Sequence, residues 1–510
     1  MPLTDPVATE HRMSVPPTHP CEHPCEHRDG NDLTENEKQL QERHHLACVK
    51  RNYILSPLIH QFPLEIVSFI FILAFPPREA CPWCTIVPSE QGSPLVLTKV
   101  CHTWRALALS TPRLWSYLSV DVEKPNFPLL NHQIAHSGLV PLSVYLFPSG
   151  YGTKQGLASA KQAMSLVIKQ LHRIASLYLL FTDDIATEWG SIDYPKTAPL
   201  LKELHFHCLD DGPSSSFQLR LAIEPPCPRQ VCLSCISFDQ IRLDWTRVSS
   251  LTLVLSDIRM LPPALKSLKH LVLMYTNWDR PAGQTPVVSQ SIQHVTQEDS
   301  DLTGFMLAMT LPSLRTLDVD ITDIRTLSPI ACDFLHRSLC PLQVLSIHYD
   351  GNTFDDDERV IQALIEVLET TKVLQRLTLQ LSAKSFPSSN FEPLVRRFLS
   401  QDRGFLPCLQ TLSLETQFIP PIDLLLDAMA PNAPTPEILS GPNKERPLRS
   451  LYLGLCIPLD EIGQIRQDVL VRILEMRAAG NNISITCMQI PHRSLDLVEH
   501  WKSSYGFGED

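Results

Sequence analysis

The sequence predicts an α/β repeat architecture, with an all-α unit near the front and an irregular solenoid stacked behind it. Three observations lead there. A short apolar signature recurs along the rear of the chain. The stretch 56–118 reads as a pair of helices too greasy to be left in water. Forty-three prolines against 18 glycines favour many short elements separated by stiff turns. At 510 residues the chain is long enough for several domains or one extended repeat array.

Composition narrows the function classes. A net charge of -12, with no dense Lys/Arg run, argues against nucleic acid, because phosphate binding needs a basic footprint. No basic segment followed by an apolar core opens the chain, so no signal peptide is expected. Ile66–Phe75 is about half of the ~20 residues needed to cross a bilayer, so no membrane partner is expected either. The expected setting is cytoplasmic and/or nuclear. Fifteen cysteines are scattered, several inside apolar runs (Cys101, Cys235, Cys456), which suits buried thiols in a reducing compartment.

Residues 1–32 are rich in Pro, His and acids without hydrophobic periodicity, and read as a disordered tail. Within them, Cys21-Glu22-His23-Pro24-Cys25-Glu26-His27 offers four soft ligands that zinc accepts. A local duplication in a floppy tail explains them more simply, since nothing around them would orient the ligands. Residues 33–55 read as a helical arm. Thr34 and Glu37 form a capping box, and Leu33, Leu40, Ala47 and Ile54 recur every seventh residue. That seam is thin for a coiled coil, so the arm is expected to lie against the unit that follows.

In the stretch 56–118, Pro63 suits a first helical position and Glu65 suits the positive end of the helix dipole. From Ile66 to Phe75 the helix is apolar all round except at Ser68, so its own unit and a partner must share the covering. Leu97, Val100, Cys101, Trp104, Leu107 and Ala108 then follow at the spacing of one helical face. Thr111-Pro112 stops that run and starts a short turn through Trp115 to Leu118.

Phe62-Pro63-x-Glu65-Ile66, then Val100-Cys101-His102-Thr103-Trp104-Arg105, then Thr111-Pro112-Arg113-Leu114-Trp115-Ser116 resembles the F-box of the large F-box family of mushroom-forming fungi. The lead-in Tyr53–Leu58 is similar to that family's as well. The departure is a long loop holding Cys81-Pro82-Trp83-Cys84. The resemblance implies the substrate-receptor subunit of an SCF-type (Skp1–cullin–F-box) ubiquitin ligase, which binds a Skp1-type adaptor and through it a cullin. It would be no enzyme and carry no cofactor. The adaptor-facing candidates are Leu58, Phe62, Pro63, Ile66, Ile70, Val100, Cys101, Trp104 and Leu107, some of which must instead form the unit's own core.

Behind Leu118 an internal repeat takes over, of the form L-x-x-L-x-L with L any bulky apolar residue. It stands at Ile174/Leu177/Leu179, Leu201/Leu204/Phe206, Val248/Leu251/Leu253, Leu268/Leu271/Leu273 and Leu314/Leu317/Val319. It continues at Leu342/Leu345/Ile347, Leu374/Leu377/Leu379, Leu409/Leu412/Leu414 and Leu448/Leu451/Leu453. Pro141–Leu146 is a weaker unit before these, and Ile483-Ser484-Ile485 closes the array. Residues two apart in a strand share a face, so the fourth and sixth positions point together into a core. One unit cannot offset its ordering entropy; a stack can, because neighbours cover each other's edges.

This is the pattern of an irregular leucine-rich-repeat solenoid over 119–495, with 496–510 a tail. At the turn position, where such repeats usually place Asn or Cys, stand Thr182, Leu209, Ser256, Thr276, Thr322, Asp350, Ser382, Gln417 and Cys456, all polar or thiol-bearing except Leu209. Asp355–Thr370 and Phe391–Gln401 read as return helices, and Gly283–Ser300 and Pro431–Arg446 as loops. The acids around Asp355 suit a helix start better than a calcium loop, since the glycine Gly351 is misplaced for an EF-hand.

No Gly-rich phosphate loop, G-x-S-x-G or HExxH is present. Cys81 and Cys84, alone as a redox pair or joined by Cys101 and His102 around zinc, are the only enzyme-like constellation, and their helical flanks are the wrong scaffold. His205, His207 and Cys208 follow strand alternation, the histidines facing away from the core. The expected target surface is the outward strand positions His205, Thr252, Asp318, Ser346, Thr378, Ser413 and Tyr452. The alternatives are a non-catalytic interaction scaffold without ligase recruitment, and a thiol or zinc protein centred on Cys81 and Cys84.

Overall fold

The computed structural model describes residues 61–75, 94–149 and most of 154–505, with scattered helical positions between 36 and 50. Within 154–505 it leaves out 191, 193–196, 211–219, 259–260, 279–284, 322–323, 350–356, 383–387, 400–404, 430–447, 458–461, 463–464 and 491–492. The fold is mixed α/β, with a small helical unit in front of one large, mostly parallel sheet.

The helical unit holds α1 (Leu64–Ala74), α2 (Leu95–Thr98), α3 (His102–Leu109) and a 3-10 turn, Pro112–Trp115. Pro63 stands one residue ahead of α1, where its carbonyl accepts from Ile66 N and Val67 N. The apolar run from Leu97 to Ala108 is not one helix, as its spacing predicts. It breaks at Lys99–Cys101, and Cys101 turns from a face residue into the N-cap of α3, its Sγ 3.5 Å from Trp104 N. Arg105 Nε donates to Thr98 O at 2.8 Å across the break.

Among the described residues the sheet has 15 strands, running in chain order from Tyr117–Asp121 to Arg493–Asp496. Every neighbouring pair is parallel except the last, Asn482–Ile490 with Arg493–Asp496. Register stacks the repeat signature into columns. Leu118, Val144, Leu177, Leu204, Val231, Leu251, Leu271 and Val295 are successive partners. Leu317, Leu345, Leu377, Leu412, Leu451 and Ile483 continue the same line. All are buried in one continuous core. Each rung therefore covers the edge of the one before it, as the entropy argument requires.

Two interior rungs are absent from the repeat pattern. Gln230–Ser234 lies in the wide gap between Leu204 and Leu251, and His294–Glu298 in the gap between Leu271 and Leu317, where a loop is expected. The second hides because only Val295 of its two inward residues is apolar; the other is Gln297, which is 1% exposed. Its amide donates to Ser300 O at 2.8 Å and its carbonyl accepts from Asp320 N at 3.2 Å. A satisfied glutamine thus fills a leucine's place.

The connections differ along the sheet. The middle rungs each end on a left-handed residue, Cys235, Leu255, Tyr275 and Asp299, with φ of 57, 45, 51 and 44°, and the last of them leads into a short helix, Leu302–Ala308. The N–H groups of Cys235, Leu255 and Tyr275 donate to Val254, Met274 and Glu298 of the next rung, which offsets the backbone cost. Later rungs return through helices, including Ile324–Ser338, Asp357–Glu369 and Ser388–Leu399, whose inward residues join the core.

Three expectations need correction. The sheet starts at Tyr117, inside the stretch assigned to the helical unit. The stretch 496–510 is not simply a tail: Leu497–Ser504 is a helix whose Leu497, Val498 and Trp501 are buried against the end of the array. The described positions of the arm are all exposed, Leu40 and Leu46 included, and the rest of 33–60 lies outside the described residues. At the turn position, Ser256 bonds Val254 O at 2.9 Å, but the buried Thr182 and Thr276 hydroxyls find no partner among the described residues. Thr322, Asp350, the acids before Asp357, Pro431–Arg446 and the tail 1–32 lie outside the described residues.

Candidate interaction surfaces

The helical unit closes a small core of its own. Val67, Phe71, Leu97, Leu107, Ala108, Leu114 and Trp115 are buried together, with no residue from the rear of the chain among them. Phe71 meets Trp104 at 4.8 Å between ring centroids. Trp115 Nε1 donates to Ala108 O at 2.8 Å. Ser68, the one uncharged polar residue of α1, also meets this unit's interior: the Thr111 hydroxyl lies 2.7 Å from Leu107 O and 3.2 Å from Ser68 Oγ. The seam with the sheet is narrow. Trp115 touches His132 and His136 of the helix Phe127–His136, and His136 Nδ1 lies 3.3 Å from Leu109 O.

This core uses only one stripe of α1. Phe62, Leu64, Ile66, Phe69 and Leu73 are left 45–60% exposed, with Val96 and Val100 of the neighbouring segment similarly open. The adaptor-facing candidates therefore separate. Phe62, Pro63, Ile66 and Val100 are exposed; Ile70, Cys101 and Trp104 are half-buried. Leu107 is only 7% exposed and belongs to the core, not to the surface. Leu58 lies outside the described residues. Leu64, Phe69, Leu73 and Val96 were not among the candidates and join the exposed face. Both stripes of α1 carry the same kind of side chain, so helical periodicity draws two faces without saying which one the unit keeps.

The seven target-surface candidates come together in one line. Through Cys232, Val272 and Thr296, register runs from His205 via Thr252 to Asp318, Ser346, Thr378, Ser413 and Tyr452. This row lies on the sheet face opposite the inward columns, half-buried for the most part. Its first end and its middle differ in chemistry. At the first end Tyr178 stacks on His205 at 4.2 Å, and the Glu203 carboxylate accepts from Ser176 Oγ at 2.7 Å and Tyr178 Oη at 3.1 Å. Burial there pushes His205 down to about 4, so its ring is neutral near pH 7. In the middle, His348 Nε2 lies 2.9 Å from Asp318 Oδ1 and Nδ1 lies 2.6 Å from Gln380 Oε1. The hydrogen bond to Asp318 leads in pushing His348 up to about 9, so both ring nitrogens donate. Desolvation and mutual crowding raise Glu298 and Asp320 beside it.

Cys208 faces the core, away from His205 and His207, and burial raises its thiol to about 11. Cys81, Cys84 and the Cys/His motif at 21–27 lie outside the described residues. Among the described residues no three His, Cys, Asp or Glu side chains are placed to hold a metal ion, and no helix is long and apolar enough to cross a membrane. The chain matches no family model, and no curated protein matches it significantly.

Proposed function

We propose that the chain is the substrate-recognition subunit of an SCF-type ubiquitin ligase. In this reading the helical unit is an F-box that docks a Skp1-type adaptor, and the sheet with its helices is a leucine-rich-repeat solenoid that holds a target protein. One observation carries it: α1 satisfies its own core through Val67 and Phe71 yet keeps a second apolar stripe, Ile66, Phe69 and Leu73, in water, with Phe62 and Leu64 exposed at its start. Fully burying such a side chain is worth roughly 1.5–3 kcal/mol; covering the exposed half of five offers on the order of 5 kcal/mol toward association. Val96 and Val100 of the same small unit are exposed as well and would add to the area a partner covers. The chain itself performs no bond chemistry in this reading. It raises the local concentration of a target near a ubiquitin-charged enzyme bound elsewhere in the assembly.

The test is co-purification of the full chain with a Skp1-type adaptor, repeated with Ile66→Asp plus Phe69→Asp. Both side chains are exposed, so the double variant is expected to lose the adaptor while keeping its far-UV circular dichroism. Trp104→Ala is a poorer probe, because Trp104 packs on Phe71 in the core. Adaptor capture that survives the double variant would sink the assignment of the interface.

A further inference from the structure

The residue just ahead of each strand forms a line that no stretch of sequence shows. Arg229 N donates to Lys202 O, Ser249 N to Arg229 O, Lys269 N to Ser249 O, Gln293 N to Lys269 O and Arg315 N to Gln293 O, all between 2.8 and 2.9 Å. Gln343, Gln375, Gln410 and Arg449 continue the chain of hydrogen bonds, each donating to the residue before it. Lys202, Arg229, Lys269, Arg315 and Arg449 are thereby aligned along one edge of the sheet, with Arg376 at the adjoining position. All six are exposed.

Their lack of partners is the second observation. Arginines on the helices pair with acids: Arg396 with Glu392, Arg397 with Glu369, Arg466 with Asp423 and Arg472 with Asp427. Among the described residues none of the six edge cations makes an ion pair, although the whole chain carries a net charge of -12. Burial leads in lowering the pKa of His294, with smaller contributions from His270, stacked on it at 4.4 Å, and then Arg315. The only acid in the first strand row beside this edge is Glu203, which is bonded to Ser176 and Tyr178.

We infer that this edge binds an extended acidic segment of a target protein, laid across the strands with its Asp and Glu side chains on the aligned cations. The inference rests on the solenoid being the target-holding part. Strand spacing explains the fit. Neighbouring rungs lie about 4.8 Å apart, so Lys202 to Arg315 spans about 24 Å, the reach of about seven extended residues. Complementary charge at this spacing selects partner and register more than it adds raw affinity. A long polyanion is disfavoured, because beyond the strip it meets a chain of overall negative charge and carboxylates such as Glu298 and Asp320.

The probe is a fluorescein-labelled peptide of about twelve residues alternating Glu and Ser, long enough to cross about eight rungs. Anisotropy with the full chain is expected to show binding that weakens at least about fivefold between about 50 and 200 mM salt. Arg229→Glu with Lys269→Glu should lower affinity at least about tenfold. Arg229→Gln with Lys269→Gln should lower it less and guards against misfolding by the reversal. Arg396→Gln, on a return helix, should leave it unchanged. Equal binding of the matching Lys/Ser peptide, wild-type affinity in the folded strip variants, or tighter binding of oligothymidine would each overturn the proposal. Adaptor capture by the same strip variants should persist. Its loss in the wild-type chain alongside intact peptide binding would remove the ligase reading and leave the strip standing.

Discussion

The helical unit and the sheet are built from the same apolar residues and treat them differently. In the sheet each inward side chain meets its counterpart one rung away, Leu345 against Leu317 and Leu377, and burial is complete. In the helical unit neighbours in sequence part company: Val67 is fully buried, while Ile66 is 45% and Phe69 55% exposed. A stack of repeats supplies its own cover, whereas a single helix with two apolar stripes can bury only one in a unit this small. The uncovered stripe is where the proposed partner would dock.

The strongest way to break this comparison is to cut each core separately. Trp115→Ala removes a fully buried ring and its bond to Ala108 O, and should cost the helical unit about 3–5 kcal/mol. Hydrogen exchange should then rise across 64–115 and much less beyond Val144. Leu379→Ala, in the sheet, should cost about 2–5 kcal/mol and loosen the rungs on either side while 64–115 stays protected. Exchange that rises everywhere in both variants would mean the two cores are one cooperative unit.

A finer contrast lies within the sheet, between His205 and His348. His205 is held at about 4, below the usual histidine range, so the unfolded chain binds the extra proton. Its contribution is complete above pH ~6.5 and is lost as pH falls toward 4. His348 is held at about 9, so the folded chain keeps the proton longer. Its contribution is complete below pH ~6.5 and is lost as pH rises through 9. Its side chain is 35% exposed, which keeps the effect to about 1 kcal/mol or less. Urea unfolding at several pH values should show opposed slopes, with His205→Asn flattening the acid side and His348→Gln the alkaline side.

The smallest effect is the sharpest test of the exposed stripe. Ile66→Asp should change stability by no more than about 0.5 kcal/mol, because the side chain packs on nothing essential. Val67→Asp, one residue on, should unfold the helical unit by burying an unpaired charge. Similar urea midpoints for the two would erase the distinction between core and docking stripe.

Much of this was legible in the order of residues. The repeated apolar triplets announce most rungs, because a strand's two-residue period writes its inward face directly into the chain. The outward row from His205 to Tyr452 was legible for the same reason: the position between two inward leucines must face outward. Where a rung departs from the triplet the pattern fails, as at Gln297, whose burial depends on Ser300 O and Asp320 N. Cys101 likewise looks like a face residue until the backbone breaks ahead of α3 and makes it a cap.

What the sequence determined alone was local: period, breakers, the number of apolar stripes and the overall charge. Which stripe of α1 stays in water, and which cations stand in line, was decided only when distant segments met. Lys202, Arg229 and Lys269 are a scattered trio along the chain and neighbours along an edge only because register places them there. Contact between segments far apart in sequence follows from packing and hydrogen-bond register, and neither is written in the spacing of any one segment.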